Sequence, residues 1–132
     1  MYALLLISSF YISIVDIAIH KIRNRTLIFL GIGFSVITLL GNGEVYLVSA
    51  FAIFSIGFIA TFFGLGAGDV KLATVLALFF LPLEVSKLSD LFSGFIAGGT
   101  LLLIGHLITR KSFADPIALA PTICAAFIWC AR

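Results

Sequence analysis

The stretch Gly64-Leu65-Gly66-Ala67-Gly68-Asp69-Val70-Lys71 decides how this chain is read: it is a glycine-dense break carrying an acid and a base, set between two runs of almost pure hydrocarbon. An ionised carboxylate at a membrane boundary is expensive, so such a residue is read first as functional. The question is whether the chain supplies Asp69 with a chemical partner.

Working outward from the break, 62% of the 132 residues are hydrophobic and only 11% are charged, with a mean hydropathy of +1.27. An ordinary soluble domain is about 45 to 50% apolar and about 25% charged. The composition therefore predicts an all-α integral membrane protein, with residues 1–132 forming a single transmembrane domain and nothing left over for a soluble module. The lipid bilayer is its expected surrounding, and no nucleic-acid partner is expected.

Apolar runs occur at 2–19, 26–40, 45–63, 72–83, 91–108 and 116–131, which predicts a bundle of six transmembrane helices. The second and fourth fall short of the roughly 20 residues that cross about 30 Å of hydrocarbon. With six spans, Lys21, Arg23, Arg25, Lys71, Arg110 and Lys111 share one side, and only Lys87 and Arg132 lie on the other. The positive-inside bias makes the first side cytoplasmic and puts both termini outside. The first run has no basic segment before it and no small-x-small cleavage pattern, and it carries Asp16 near its end, so it reads as a retained helix.

Between the runs, Gly41-Asn42-Gly43-Glu44 reads as a tight outer turn and residues 86–90 as a short outer loop after Pro82. Cys124 and Cys130 lie six residues apart. That spacing is about 9 Å along a helix, too far for a disulfide within it, so both read as buried small side chains.

Lipid drives helix association weakly, so close packing needs small residues at the contacts. Gly94 and Gly98 form a Gly-x-x-x-Gly pair, Ala60 and Gly64 are four apart, and Ala73 and Ala77 continue the line of Asp69 at helical spacing. That line predicts that Asp69 faces the bundle. In the first run, Ser9, Ser13, Asp16 and His20 form one polar stripe at i, i+4, i+7 and i+11. The stripe points Asp16 inward, at a depth similar to that of Asp69 and on the same side.

Two carboxylates in a small, poorly solvated site resist joint ionisation and hold one proton between them near neutral pH. One can then take a proton from an attacking water while the other donates to the carbonyl oxygen or the leaving amine. This chemistry needs no metal, cofactor or covalent intermediate. Gly64, Gly66 and Gly68 are expected to permit unusual backbone geometry and the close approach of an extended substrate strand. Alone, Asp16 reads equally as a helix-end acid paired with Lys21 or Arg23, and Asp69 as a solvated acid beside Lys71. Lys71 itself either contacts substrate or favours an ionised Asp69, or else anchors the helix end by snorkelling. His20 and His106 fall near predicted cytoplasmic ends, where this chemistry has no use for them.

These residues resemble a known family. Gly66-Ala67-Gly68-Asp69 is similar to the Gly-x-Gly-Asp signature of intramembrane aspartic peptidases, and Val70-Lys71-Leu72 resembles the type IV prepilin peptidases in particular. Asp16, followed by Lys21-Ile22-Arg23-Asn24, resembles their first catalytic aspartate with its basic Ile-Pro-Asn stretch, although Arg23 stands where the proline is usual. Pro116-Ile117-Ala118-Leu119-Ala120 resembles the proline-led start of their last helix.

The resemblance runs from Asp16 to about Ala126. It implies an aspartic endopeptidase of the bacterial inner membrane that removes the short basic leader of prepilin-like proteins at the cytoplasmic face, with Asp16 and Asp69 as the catalytic pair. Long members carry a zinc-binding insert and methylate the new N-terminus. This chain lacks the insert and looks like the short members that serve tight-adherence (Flp-type) pili, for which methylation is not expected. The competing reading is a small proton- or ion-coupled membrane protein in which Asp16, Asp69 and His20 relay charge.

Overall fold

The structure is a computed structural model that describes residues 1–19, 24–41, 43–108 and 118–132. Among the described residues there are six α-helices and no strand: α1 (Tyr2–Ile19), α2 (Asn24–Leu40), α3 (Leu47–Thr61), α4 (Ala67–Phe80), α5 (Val85–Ile108) and α6 (Ala120–Cys130). One helix answers to each apolar run. Among the described residues, only α1, with 18 residues, and α5, with 24, are long and apolar enough to cross a membrane. Apolar side chains such as Ile7, Phe10, Phe29, Phe51, Phe62 and Phe92 lie exposed on the outside of the bundle.

Two boundaries differ from the sequence reading. Residues 86–90 are not a loop, because α5 already begins at Val85. Leu88 N–H donates to the Glu84 carbonyl (3.0 Å), and Lys87 Nζ donates to the Cys130 carbonyl (3.0 Å). The polar residues thus sit on a helical turn that clasps the end of α6. The last helix starts at Ala120, with Pro121 in its first turn; Pro116, the expected start, lies outside the described residues. Proline suits a helix start, where a missing N–H costs nothing and its fixed φ is already helical.

Long-range contacts define the two ends of the bundle. At one end Ala120 N–H donates to Asp16 Oδ2 (3.1 Å), and Lys71 Nζ donates to Asn24 Oδ1 (3.2 Å). At the other, Thr38 Oγ1 donates to Met1 Sδ (3.6 Å), Tyr46 N–H donates to the Leu78 carbonyl (2.8 Å), and Lys87 meets Cys130. The grouping expected from charge therefore holds for Arg25, Lys71, Lys87 and Arg132. Lys21, Arg23, Arg110 and Lys111 lie outside the described residues.

α6 packs against α1, α4 and α5, while α4 also packs against α2 and α3. The core is built from Leu5 and Ile12 of α1, Phe34 of α2, Leu72 and Leu76 of α4, and Phe127 of α6. The Phe34 ring meets those of Phe79 and Phe80, with centroids 5.5 and 5.0 Å away, in the tilted and edge-on arrangements that aromatic quadrupoles favour. Cys124 and Cys130 are both free and buried.

Small residues allow the closest approaches, as expected for Gly94 and Gly98. A methyl group at Gly94 would lie 3.0 Å from both Ala126 Cα and Trp129 Cβ, and one at Gly98 would lie 3.4 Å from Thr122 Cα. The pairing of Ala60 with Gly64 does not operate this way, because a Cβ at Gly64 would meet nothing within 4 Å. The close contact of α3 with α4 is made instead at Gly57, where a Cβ would lie 2.6 Å from Val70 Cγ1.

Val70 is β-branched and stiff, so it cannot swing aside. Gly57→Ala should therefore destabilise the protein by about 1 to 3 kcal/mol through overpacking. Val70→Ala in the same chain should recover part of that loss, as thermal unfolding in detergent would show. Additive losses would mean that the two residues do not meet.

Candidate active site

On α1 the buried residues are Leu5, Ser9, Ile12 and Asp16, an i, i+4, i+7, i+11 line that turns the expected polar stripe into a half-polar core face. Ser13 is half-buried at its edge, and His20 lies outside the described residues. Asp16 is only 5% exposed. Its carboxylate reaches the start of α6, where Oδ2 accepts the Ala120 N–H. The first turn of any helix has N–H groups without partners inside the helix and carries the positive end of the helix dipole. Here a carboxylate from α1 satisfies one of them.

Asp69 is positioned by the way α3 stops and α4 starts. Leu65 N–H bonds the Ala60 carbonyl and Gly64 N–H bonds the Thr61 carbonyl (both 3.1 Å). Gly64 has φ +95°. This is the Schellman helix stop, in which the residue after the helix takes a left-handed conformation that glycine adopts at no steric cost. Gly64 is thus a terminator. Gly66 follows as the N-cap of α4 with extended backbone (φ −66°, ψ 132°), a geometry open to any residue. Gly68 lies within the helix itself.

The expectation of unusual backbone geometry at all three glycines therefore holds at Gly64 alone. Gly66 matters for space: a Cβ there would lie 2.9 Å from Asp69 Oδ2, so the glycine leaves room for the carboxylate.

Asp69 is half-buried in the first turn of α4, in the break ahead of the apolar run 72–83. Burial, and after it the charge of Asp16, push its carboxyl up to about 6. Both effects act against the charged form. The two acids singled out from the sequence thus come together at one end of the bundle, next to the first turn of α6. Cys124, one turn further along α6, lies beside Ser9 and Ser13 and feels both carboxylates. Sequence reasoning assigned no role to Cys124 or Ala120; the only signal for the helix start at that point is Pro121.

Lys71 is exposed and donates to Asn24, tying the start of α4 to the start of α2. His106 is buried near the end of α5.

Comparison with known protein families adds the decisive observation: the sequence pattern of the type IV leader peptidase family matches residues 3–130, nearly the whole chain. The chain belongs to the type IV leader peptidase family. Comparison with curated proteins and with solved structures finds no match. Membership supports a protease of the prepilin leader-peptidase kind in general, and the match takes in Asp16, Asp69 and the start of α6 alike.

The raised carboxyl of Asp69 has a consequence for the stability of this leader peptidase. A folded-state value above the unfolded one means that folding favours the protonated acid. That contribution is fully present below about pH 4 and is lost as pH rises through about 6. Asp69→Asn should therefore raise the unfolding temperature at pH 8 and leave it nearly unchanged at pH 4. The gain should be on the order of 1 kcal/mol, given the partial solvation of the group. An equal effect at both pH values would contradict burial of the Asp69 charge.

Proposed function

We propose that the protein is a membrane-embedded aspartic endopeptidase that removes the short basic leader of type IV prepilin-like proteins, of the Flp type, using Asp16 and Asp69 as its catalytic pair. The observation that carries this reading is the convergence of those two carboxylates from different helices at one end of an apolar bundle. Water attacks the scissile carbonyl between them, one carboxylate taking its proton and the other protonating the carbonyl oxygen. The exposed apolar side chains around the bundle support a multi-pass protein of the bacterial inner membrane. The basic residues Arg25 and Lys71 at the same end as the acids support a site at the cytoplasmic face.

The competing proton-relay reading needs polar groups leading from the acids towards the far end. Along the buried face of α1 the line of polar side chains ends at Ser9 and passes to Leu5, which is fully buried. That favours hydrolysis at one end over conduction through the bundle. Lys71, held towards Asn24, serves in this reading to anchor the start of α4 beside the site.

Co-expression with a prepilin carrying a basic leader tests the proposal. Asp16→Asn and Asp69→Asn should each abolish leader removal, and the double variant should be little worse than either, because the carboxylates act as a unit. Gly66→Ala, which crowds the Asp69 carboxylate, should lower the cleavage rate on the order of 10²-fold, as small misplacements of reacting groups do. Cleavage that survives either Asn variant would overturn the assignment.

A further inference from the structure

One oxygen of the Asp16 carboxylate is held by the main chain of another helix. Oδ2 is engaged by the main-chain N–H of Ala120, a contact between residues 104 positions apart in the chain and buried from solvent. Among the described residues, Asp69 and the Cys124 thiol are titratable groups that act with Asp16 in this corner, and Lys71 is directed to Asn24. The donor sits on α6, which packs against α1, α4 and α5. Its place is therefore fixed by the body of the bundle and not by a loop.

We propose that the Ala120 N–H is a positioning group for peptide hydrolysis: by holding Oδ2 of Asp16 it leaves Oδ1 as the oxygen that takes the proton from water, with Asp69 as the acid. The inference rests on the aspartic-peptidase reading above and deepens it. An oxygen that accepts an N–H hydrogen bond directs a lone pair at the donor, and one such bond restricts the carboxylate plane and so the direction of its second oxygen. The donor stands at a helix start, where the first N–H groups have no partner inside their own helix. Asp69 supplies the complement, since burial and the neighbouring charge keep its proton on up to about pH 6.

The step balances without a co-reactant. The water oxygen bonds to the scissile carbonyl carbon as its proton passes to Asp16 Oδ1, and the Asp69 proton passes to the carbonyl oxygen. In the collapse the C–N bond breaks, Asp16 returns its proton to the leaving nitrogen, and a hydroxyl proton of the tetrahedral carbon returns to Asp69. One water is consumed, and both carboxyls end as they began.

The N–H can be removed alone. Replacing Ala120 by lactic acid during cell-free synthesis into lipid nanodiscs exchanges the Leu119–Ala120 amide for an ester and keeps the side chain. The same exchange at Ala125, which is exposed within α6, removes an N–H from the interior of the same helix and serves as the structural control. With a prepilin substrate, the ester at 120 should lower kcat at least tenfold with KM unchanged, and the ester at 125 should leave kcat within about twofold of the parent.

The inference is overturned if the ester at 120 leaves kcat unchanged, if it raises KM alone, or if both esters lower kcat equally. Its failure is separable from failure of the functional reading, because Asp16→Asn and Asp69→Asn are assayed on the same substrate. Loss of cleavage in both, with a fully active ester at 120, sinks only the positioning role.

Discussion

The hydrogen bond from the Ala120 N–H to the buried carboxylate of Asp16 joins the last helix to the first, and the arrangement of the site depends on it. A carboxylate that is 5% exposed in an apolar bundle needs a donor, because burying it unpaired costs far more than one ordinary contact contributes. The start of a helix is a ready source, since its first N–H groups have no partner of their own. The pairing settles two costs at once: the buried acid gains a donor, and a free helix end gains an acceptor. Because α6 also lies against α4 and α5, fixing α6 on α1 fixes α1 relative to α4 and brings Asp16 to Asp69.

The other acid is set by a different device. Gly64 ends α3 in a left-handed turn and Gly66 starts α4 with its side free for a carboxylate. The close approach of Gly57 to Val70 seats the first turn of α4 against α3. Asp69 is consequently held by the corner between two helices, half in contact with solvent, whereas Asp16 is held in the core. Two like acids thus sit in unlike surroundings, which is what a site needing one acid and one base requires.

Much of this was legible from residue patterns. Six apolar runs correspond to six helices, the line through Ser9 and Asp16 is the buried face of α1, and Gly94 and Gly98 meet α6 as Gly-x-x-x-Gly pairs do. The convergence of Asp16 and Asp69 followed from placing both at one end of the bundle. Residues 86–90 look like a loop in the sequence because polar residues on a helix turn do, and Pro121 is a less conspicuous helix start than Pro116. The expected freedom of backbone at Gly64 is used to stop a helix, and its expected packing against Ala60 is not. Gly57 and the Ala120 N–H could not be read, since a close approach depends on the partner helix and a main-chain donor has no side chain to betray it.

The central claim is that Asp16 and Asp69 act together on one tetrahedral centre. The most direct measurement is the binding of a prepilin-junction peptide whose scissile amide is replaced by a hydroxyethylene group, a non-cleavable stand-in for that centre, to the protein in nanodiscs. The account predicts that the analogue binds the parent at least 100-fold more tightly than it binds either Asp16→Asn or Asp69→Asn, within the range by which transition-state analogues exceed substrates. Equal affinity for the parent and for either variant would contradict it.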